Sequence, residues 1–367
     1  MLRTSLFIST AVLLSQPAWA DFKLGWAGPL TGGSAAAGVQ TLNGVKQAVE
    51  DFNNAGGILG EKISVEIQDD AAEPKQAVSV ANVMTSDGVK FVVGHQNSGA
   101  SIPASEVYAE AGVLEVTPAS TNPVFTDRGL WNTFRTCGRD DQQGTVAGDY
   151  LARKFAGKRV FIVQDKTTYG KGLADEVRKE MNKNKLREVT DEGINAGEKD
   201  YSALVSKIKA AKADVVYFGG IYTEAGLIRR QMTDQGVSVP LLGGDAVLST
   251  EYAAIAGPGA EGTMITFSPD ARKKPAAAAV LARFQAKHID PEGYTLYGYA
   301  AVQVIAEAVK AAGKPDPKAA ADKLHSGMTI NTVVGPISYD KKGDITRLDF
   351  VFYTMHNGKF EETGSND

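Results

Sequence analysis

Phe91-Val92-Val93-Gly94-His95-Gln96-Asn97-Ser98-Gly99-Ala100-Ser101 is an apolar run that breaks into glycine, small residues and hydroxyls. Val113-Leu114-Glu115-Val116-Thr117-Pro118-Ala119-Ser120-Thr121 repeats the pattern. Each run is short and bounded, as a buried strand of a parallel sheet is. In an open parallel sheet, ligands sit just beyond the carboxyl ends of the strands. Two such ends, rich in hydroxyls and main-chain N–H groups, can grip one small polar molecule between them.

Outward from this stretch, strand-like runs alternate with helical patterns. Toward the N-terminus come a strand at Phe22–Ala27, a helix from Val39 to Asn54 with Leu42, Val45, Val49 and Phe52 on one face, a half-exposed strand at Lys62–Gln68 and a helix at Pro74–Thr85. A helix from Ile102 to Glu110 links the two opening runs, and an irregular connection follows from Asn122 to Asp141. The alternation then restarts. Helices are expected at Gln143–Phe155, Gly172–Asn182, Tyr201–Ala211 and Glu224–Gln235, with strands at Arg159–Gln164, Arg187–Val189, Val215–Phe218, Leu241–Leu242 and Thr263–Phe267. Long alanine-rich helices at Pro275–Lys287 and Leu296–Ala312 come next, and strand signals return at Val333–Tyr339 and Asp349–Thr354. Repeated βα units imply α/β architecture with helices on both faces of parallel sheets. One sheet of this length would be unusually large, so two doubly wound lobes are expected, with a first boundary near Asp140 and a return after Phe267.

The first twenty residues read as a leader rather than as fold. Arg3 gives a positive start, Leu6 to Leu14 an apolar stretch and Ala18-Trp19-Ala20 a cleavage site. That stretch is too short for a bilayer core of roughly 30 Å. Asp21, not cysteine, follows the site, so no lipid anchor is expected. The remainder is predicted to be a soluble, exported monomer. A net charge of −4 without a basic block argues against nucleic acid. Cys137, the single cysteine, is read as a core residue. His95, His288, His325 and His356 show no metal-ligand spacing, so neither metal nor cofactor is expected.

Several motifs point to chemistry that their setting denies. Gly257-Pro258-Gly259-Ala260-Glu261-Gly262 matches a dinucleotide fingerprint, but it precedes a strand and contains proline, so it reads as a turn. The glycine-rich Gly28–Ser34 lacks the lysine of a phosphate loop. Ser206-Lys207-Ile208-Lys209 lies on an amphipathic helix and reads as a solvated face. No activated nucleophile is apparent, so no enzyme is expected. The positive signals are hydroxyls and acids at strand ends: Ser98, Ser101, Thr117, Ser120 and Thr121 in the first half, and Asp165 to Tyr169, Tyr222, Glu224 and Asp245 in the second. Hydroxyls and helix N-termini suit a carboxylate. A lone acid facing them suits an ammonium. Each hydroxyl alone reads more readily as a helix cap; together they describe a site for a zwitterion.

At these residues the chain resembles the periplasmic leucine/isoleucine/valine-binding proteins, the type I solute-binding proteins of branched-chain amino-acid ABC transporters. The resemblance runs from Asp21 to Phe360 through Asn53-Asn54-Ala55-Gly56-Gly57-Ile58, Asp69-Asp70, Val93-Gly94-His95, Thr117-Pro118-Ala119, Tyr169-Gly170-Lys171-Gly172-Leu173-Ala174 and Gly335-Pro336-Ile337. It implies two lobes joined by three crossovers: residues 21–139 plus 269–346, and residues 140–268 plus 347–367. It implies that Ser98 and Thr121 hold a ligand carboxylate, that the Ala119 carbonyl and Asp245 hold an ammonium, and that Tyr169 closes over the ligand. It further implies a free amino acid as ligand and an inner-membrane ABC permease as partner. The family's early disulfide falls on Ala72 and Asn97 and is absent. Pocket positions filled by aromatics and a leucine in the family carry Ala37, Ile221 and Gln96 here, implying a roomier or more polar pocket. Asn122–Phe125 and Arg135–Asp141 look like a subgroup that includes binders of small neutral amino acids or γ-aminobutyrate. A sensor built on the same scaffold is the other function class the resemblance leaves open.

Overall fold

The computed structural model describes residues 22–347 and 350–364; the expected leader at 1–20 with its cleavage site lies outside them, as do Asp21, Leu348, Asp349 and residues 365–367. The chain opens with β1 (Phe22–Gly28), α1 (Ala35–Asn54), β2 (Ile63–Asp69), α2 (Pro74–Ser86), β3 (Phe91–Val93), α3 (Ser98–Glu110), β4 (Leu114–Thr117), α4 (Val124–Asp127) and β5 (Thr133–Arg135). These five strands make one parallel sheet in the order β2-β1-β3-β4-β5. β3, β4 and β5 are buried throughout, as strands covered on both faces by helices must be.

A second series follows: α5 (Asp140–Lys154), β6 (Val160–Gln164), α6 (Thr168–Lys183), β7 (Glu188–Gly193), α7 (Ser202–Ala210), β8 (Val215–Gly219), α8 (Tyr222–Asp234), β9 (Leu241–Gly243), α9 (Thr250–Ala256) and β10 (Met264–Phe267). Its strands pair in parallel in the order β7-β6-β8-β9-β10. The chain then returns through α10 (Ala278–Ala286), α11 (Thr295–Ala312) and α12 (Pro317–His325) to the hairpin β11 (Ile330–Thr332) and β12 (Gly335–Ile337). α11 packs on α1, β3 and β4 of the first sheet. Finally β13 (Val351–His356) and β14 (Lys359–Gly364) extend the second sheet with antiparallel pairings, β13 against β10 and β14 against β13. The molecule is therefore two doubly wound α/β lobes, and the chain passes between them three times.

Close helix packing on the first lobe depends on two glycines. A Cβ at Gly44 of α1 would lie 1.9 Å from the Thr295 carbonyl oxygen, and one at Gly298 of α11 would lie 2.4 Å from that of Thr41. Backbone thus meets backbone across the α1–α11 contact. α11 is apolar nearly all round and buried over most of its length, which explains its alanine-rich composition. No described helix is long and apolar enough to cross a membrane.

The expected elements are present, with several boundaries moved. α3 begins at Ser98 rather than Ile102, α6 at Thr168 rather than Gly172 and α1 at Ala35 rather than Val39. Each extra turn is made of small or polar residues that carry no apolar periodicity. The connection read as irregular holds α4 and β5, whose Arg135 disguised a fully buried strand. α12 was also missed, although Asp316 caps it by accepting from the Ala319 N–H at 2.7 Å and Pro317 opens it. The Val333–Tyr339 signal resolves into a hairpin, and polar β14 went unseen. Gly257–Ala260 is a short 3-10 turn ahead of β10, as its proline implied.

Replacing Gly44 by alanine should lower stability by about 1–3 kcal/mol, because overpacking against a rigid carbonyl outweighs the better helix propensity of alanine. Denaturant unfolding checks this; a midpoint unchanged or raised would contradict the close α1–α11 approach.

Candidate functional site

In each lobe the strand order reverses at one place, between β1 and β3 in the first and between β6 and β8 in the second. Such switch points leave a crevice outside the carboxyl ends of the strands. Ser34, Gln96, Asn97 and Ser98 follow the first pair; Tyr169, Ile221 and Tyr222 follow the second. All seven line one cavity, together with Ala37, Gln40, Ala119, Asp245, Ala246, Leu248 and Tyr294. The lobes touch around it. Asn122 Nδ2 donates to the Thr168 carbonyl at 2.9 Å, and Thr250 donates through its N–H and its hydroxyl to the Glu292 carboxylate, each at 3.0 Å. An ideal Cβ on Gly33 would stand 3.6 Å from Ile221 Cδ1. A second cleft, lined by Asp270, Arg272, Glu292 and Tyr353 among others, adjoins through Leu248; there Asp270 pairs with Arg272 and Glu292 accepts from Thr250.

Ser98 opens α3, and the preceding Asn97 makes no side-chain cap there. Uncapped N-terminal N–H groups of a helix favour an anion. The Ser98 hydroxyl accepts from the Asn122 N–H at 3.2 Å and keeps its own hydrogen to give. Beside it three other hydroxyls turn inward. Thr117 Oγ1 donates to the His95 carbonyl at 2.6 Å, Ser101 Oγ reaches that carbonyl at 3.1 Å, and Ser120 Oγ stands 3.3 Å from it. Ser101, Thr117 and Ser120 therefore bind the two strand ends to each other rather than facing the cavity. Behind them Arg135, fully buried, donates to the Ser120 carbonyl at 2.6 Å and the Asn122 carbonyl at 3.2 Å, and its Nε lies 2.7 Å from Asp344.

Across the cavity Asp245 is 2 % exposed, with no cation beside it among the described residues. The Tyr169 hydroxyl donates to its Oδ1 at 2.8 Å, and the Tyr294 hydroxyl donates to Oδ2. Burial lifts its carboxyl above the ordinary aspartate range, against the pull of the hydrogen bonds from Tyr294, Tyr169 and Gln143. Both tyrosine hydroxyls are pushed well above their usual range, first by burial and then by the Asp245 charge. Asp140, at the start of α5, is also buried; burial and the proximity of Asp245 raise its carboxyl strongly.

Of the residues singled out from sequence, Ser98, Ala119, Tyr169, Tyr222, Asp245, Gln96, Ile221 and Ala37 share this cavity. Thr121 does not line it. Its side chain is buried beside the Asp140 carboxyl, and its carbonyl accepts from the Asp140 N–H at 2.9 Å. Asp165 and Glu224 also stand apart: Asp165 accepts from Thr167 N–H and hydroxyl, and Glu224 accepts from the Gly197 N–H. Cys137 is buried, its thiol pushed up to about 12 mainly by burial, so it is an inert core group. Ser34, Gln40 and Tyr294 were missed. Gln40 lies one helical turn on from Ala37, a spacing that was available as a signal. Tyr294 follows no strand, so a search of strand ends could not reach it.

Comparison with known proteins agrees with this geometry. The family model described as periplasmic binding protein matches residues 21–359. The Leu/Ile/Val-binding protein homolog 1 of Brucella melitensis is 50% identical over 351 residues, covering 96% of this chain and 95% of that protein. An amino acid binding protein of Pseudomonas aeruginosa is 48% identical over 362 residues, covering 98% and 96%. Among solved structures, the branched-chain amino acid transporter substrate binding protein LivJ of Streptococcus pneumoniae, in complex with isoleucine, superposes with a TM-score of 0.84 at 30% identity, covering 93% of this chain and 98% of that one. With two doubly wound lobes, a cavity at their facing switch points and a match over nearly the whole chain, this protein belongs to the periplasmic binding protein family.

Proposed function

We propose that the protein is the exported substrate-binding component of an amino-acid ABC transporter, which traps a neutral amino acid between its lobes and delivers it to a membrane permease. The observation that carries this reading is Asp245, a buried acid without a cation among the described residues that faces an uncapped helix N-terminus across one small cavity. That pairing is complementary to a zwitterion. In this reading the α3 N-terminus and Ser98 take the carboxylate, with Thr121 supporting the same loop. The Ala119 carbonyl and Asp245 take the ammonium, and Tyr169 holds Asp245 in place from its own lobe. Ala37, Gln96 and Ile221 face the side chain. The names of the relatives make a short or branched aliphatic side chain the starting expectation, and γ-aminobutyrate fits the same two charged ends.

The proposal includes cleavage of the leader after Ala20, action in the periplasm as a monomer without a lipid anchor, and no catalysis. It takes residues 21–139 plus 269–346 as one rigid lobe and residues 140–268 plus 347–367 as the other. Closure about the three crossings buries the ligand where water no longer competes for its hydrogen bonds. The closed form then differs from the open one in shape, which a permease can distinguish.

A thermal-shift screen of the twenty amino acids and γ-aminobutyrate should show stabilisation by a subset of neutral ones, since a ligand bound only by the folded state raises the melting temperature. For the best ligand, Asp245→Ala should weaken binding by roughly 3–5 kcal/mol, because the ammonium would be buried unpaired. Calorimetric affinity equal to wild type would sink the assignment of Asp245. Affinity should also depend on pH with a definite sign. Burial raises the Asp245 carboxyl, so a proton competes with the ligand ammonium for the ionised form. Binding should weaken as the pH is lowered into the range where that carboxyl takes up a proton, by up to about tenfold per unit, and Asp245→Asn should abolish that slope.

A further inference from the structure

We propose that Gln96 makes this cavity prefer a neutral amino acid whose short side chain carries a hydroxyl over the aliphatic one of the same shape; this rests on the amino-acid reading above. Ser98, Ala119 and Asp245 are taken up by the two charged ends, and Tyr169 and Tyr294 by Asp245. The lining left for a side chain is Ala37, Ile221, Tyr222, Ala246 and Leu248 on one hand, and Ser34, Gln40, Gln96 and Asn97 on the other. The second set is polar.

Within that set, Gln96 is 7 % exposed and its Oε1 has no hydrogen-bond partner among the described residues. Asn97 Oδ1 is likewise buried without one, while Asn97 Nδ2 donates to Ser34 Oγ at 3.3 Å. Gln40 differs, since its Oε1 accepts from the Tyr294 N–H at 3.4 Å. A buried amide oxygen left unpaired is costly, and the cost is retained when a methyl group lies against it. A hydroxyl removes it. Because a hydroxyl both donates and accepts, it satisfies either end of the Gln96 amide. A hydroxyl therefore gains at this wall what a methyl cannot. The wall also admits methyl groups elsewhere, through Ala37 and Ile221, which favours a branched side chain carrying one methyl and one hydroxyl.

Threonine and valine form the test, being nearly the same shape. Calorimetric titration of the mature chain should give threonine at least about tenfold tighter binding than valine. Gln96→Leu should remove or reverse that ratio, and Gln96→Met should do the same without adding a branch. Valine binding as tightly as threonine, or more tightly, overturns the inference while leaving the amino-acid reading intact. So does a chain that binds other amino acids but neither of this pair. A threonine preference that persists in both variants overturns the role given to Gln96. Failure of every amino acid to bind overturns the functional reading and the inference together.

Discussion

An ionised carboxylate can be taken out of water only when hydrogen bonds or a positive charge replace its hydration. Asp245 meets this constraint with two tyrosine hydroxyls that come from different parts of the chain. Tyr169 stands at the start of α6 on its own lobe, and Tyr294 reaches it from the segment that leads into α11 on the other. Its surroundings are therefore complete only while the lobes are together. Separation would expose the acid to water and cost little; approach desolvates it and makes an added cation favourable. In the proposed function, a ligand ammonium is attracted by the same step that encloses it, and closure and binding become one equilibrium because they share this acid.

The opposite end of the cavity is built on a different principle. Nothing there depends on lobe movement. The hydroxyls of Ser101, Thr117 and Ser120 converge on the His95 carbonyl, and Arg135 holds the Ser120 and Asn122 carbonyls from behind. The two strand ends are thereby fixed relative to each other, with the N-terminus of α3 pointing into the cavity. A preorganised donor array loses little entropy when it takes an anion. In the proposed function, one lobe thus offers a rigid half-site and the other completes it.

Much of this was legible in the sequence because the fold obeys period and punctuation. Strand ends such as Val93-Gly94 and Val116-Thr117 are marked by an abrupt change from apolar to small and polar residues, and parallel α/β sheets bind ligands there. The same logic reached Asp245 beyond Leu241-Leu242. It failed where a residue acts from a helix face or from an irregular segment. Gln40 reads as an ordinary polar residue of α1, and Tyr294 precedes a helix without any strand before it. It failed again where one residue type serves two purposes. Ser98 and Ser120 look alike as letters, but only the fold shows that one faces the cavity and the other faces a carbonyl. β5 went unseen because Arg135, a charge at the end of a short buried strand, is paired with Asp344 more than two hundred residues away in sequence.

These differences explain why residues at strand ends could be read more easily than the rest of the cavity lining. Groups proposed to hold the two charged ends belong to strand termini and main chain, so they follow from topology and tolerate many side chains. Groups that meet the variable part of a ligand come from α1, from the loop after β8 and from Gln96, none of which the sheet requires to be any particular residue. On the proposed reading, exchanging an apolar residue for an amide at such a place leaves the fold and the zwitterion clamp unchanged and alters only which small molecule satisfies the wall. A scaffold divided in this way can change its ligand by single substitutions while keeping its mechanism of closure.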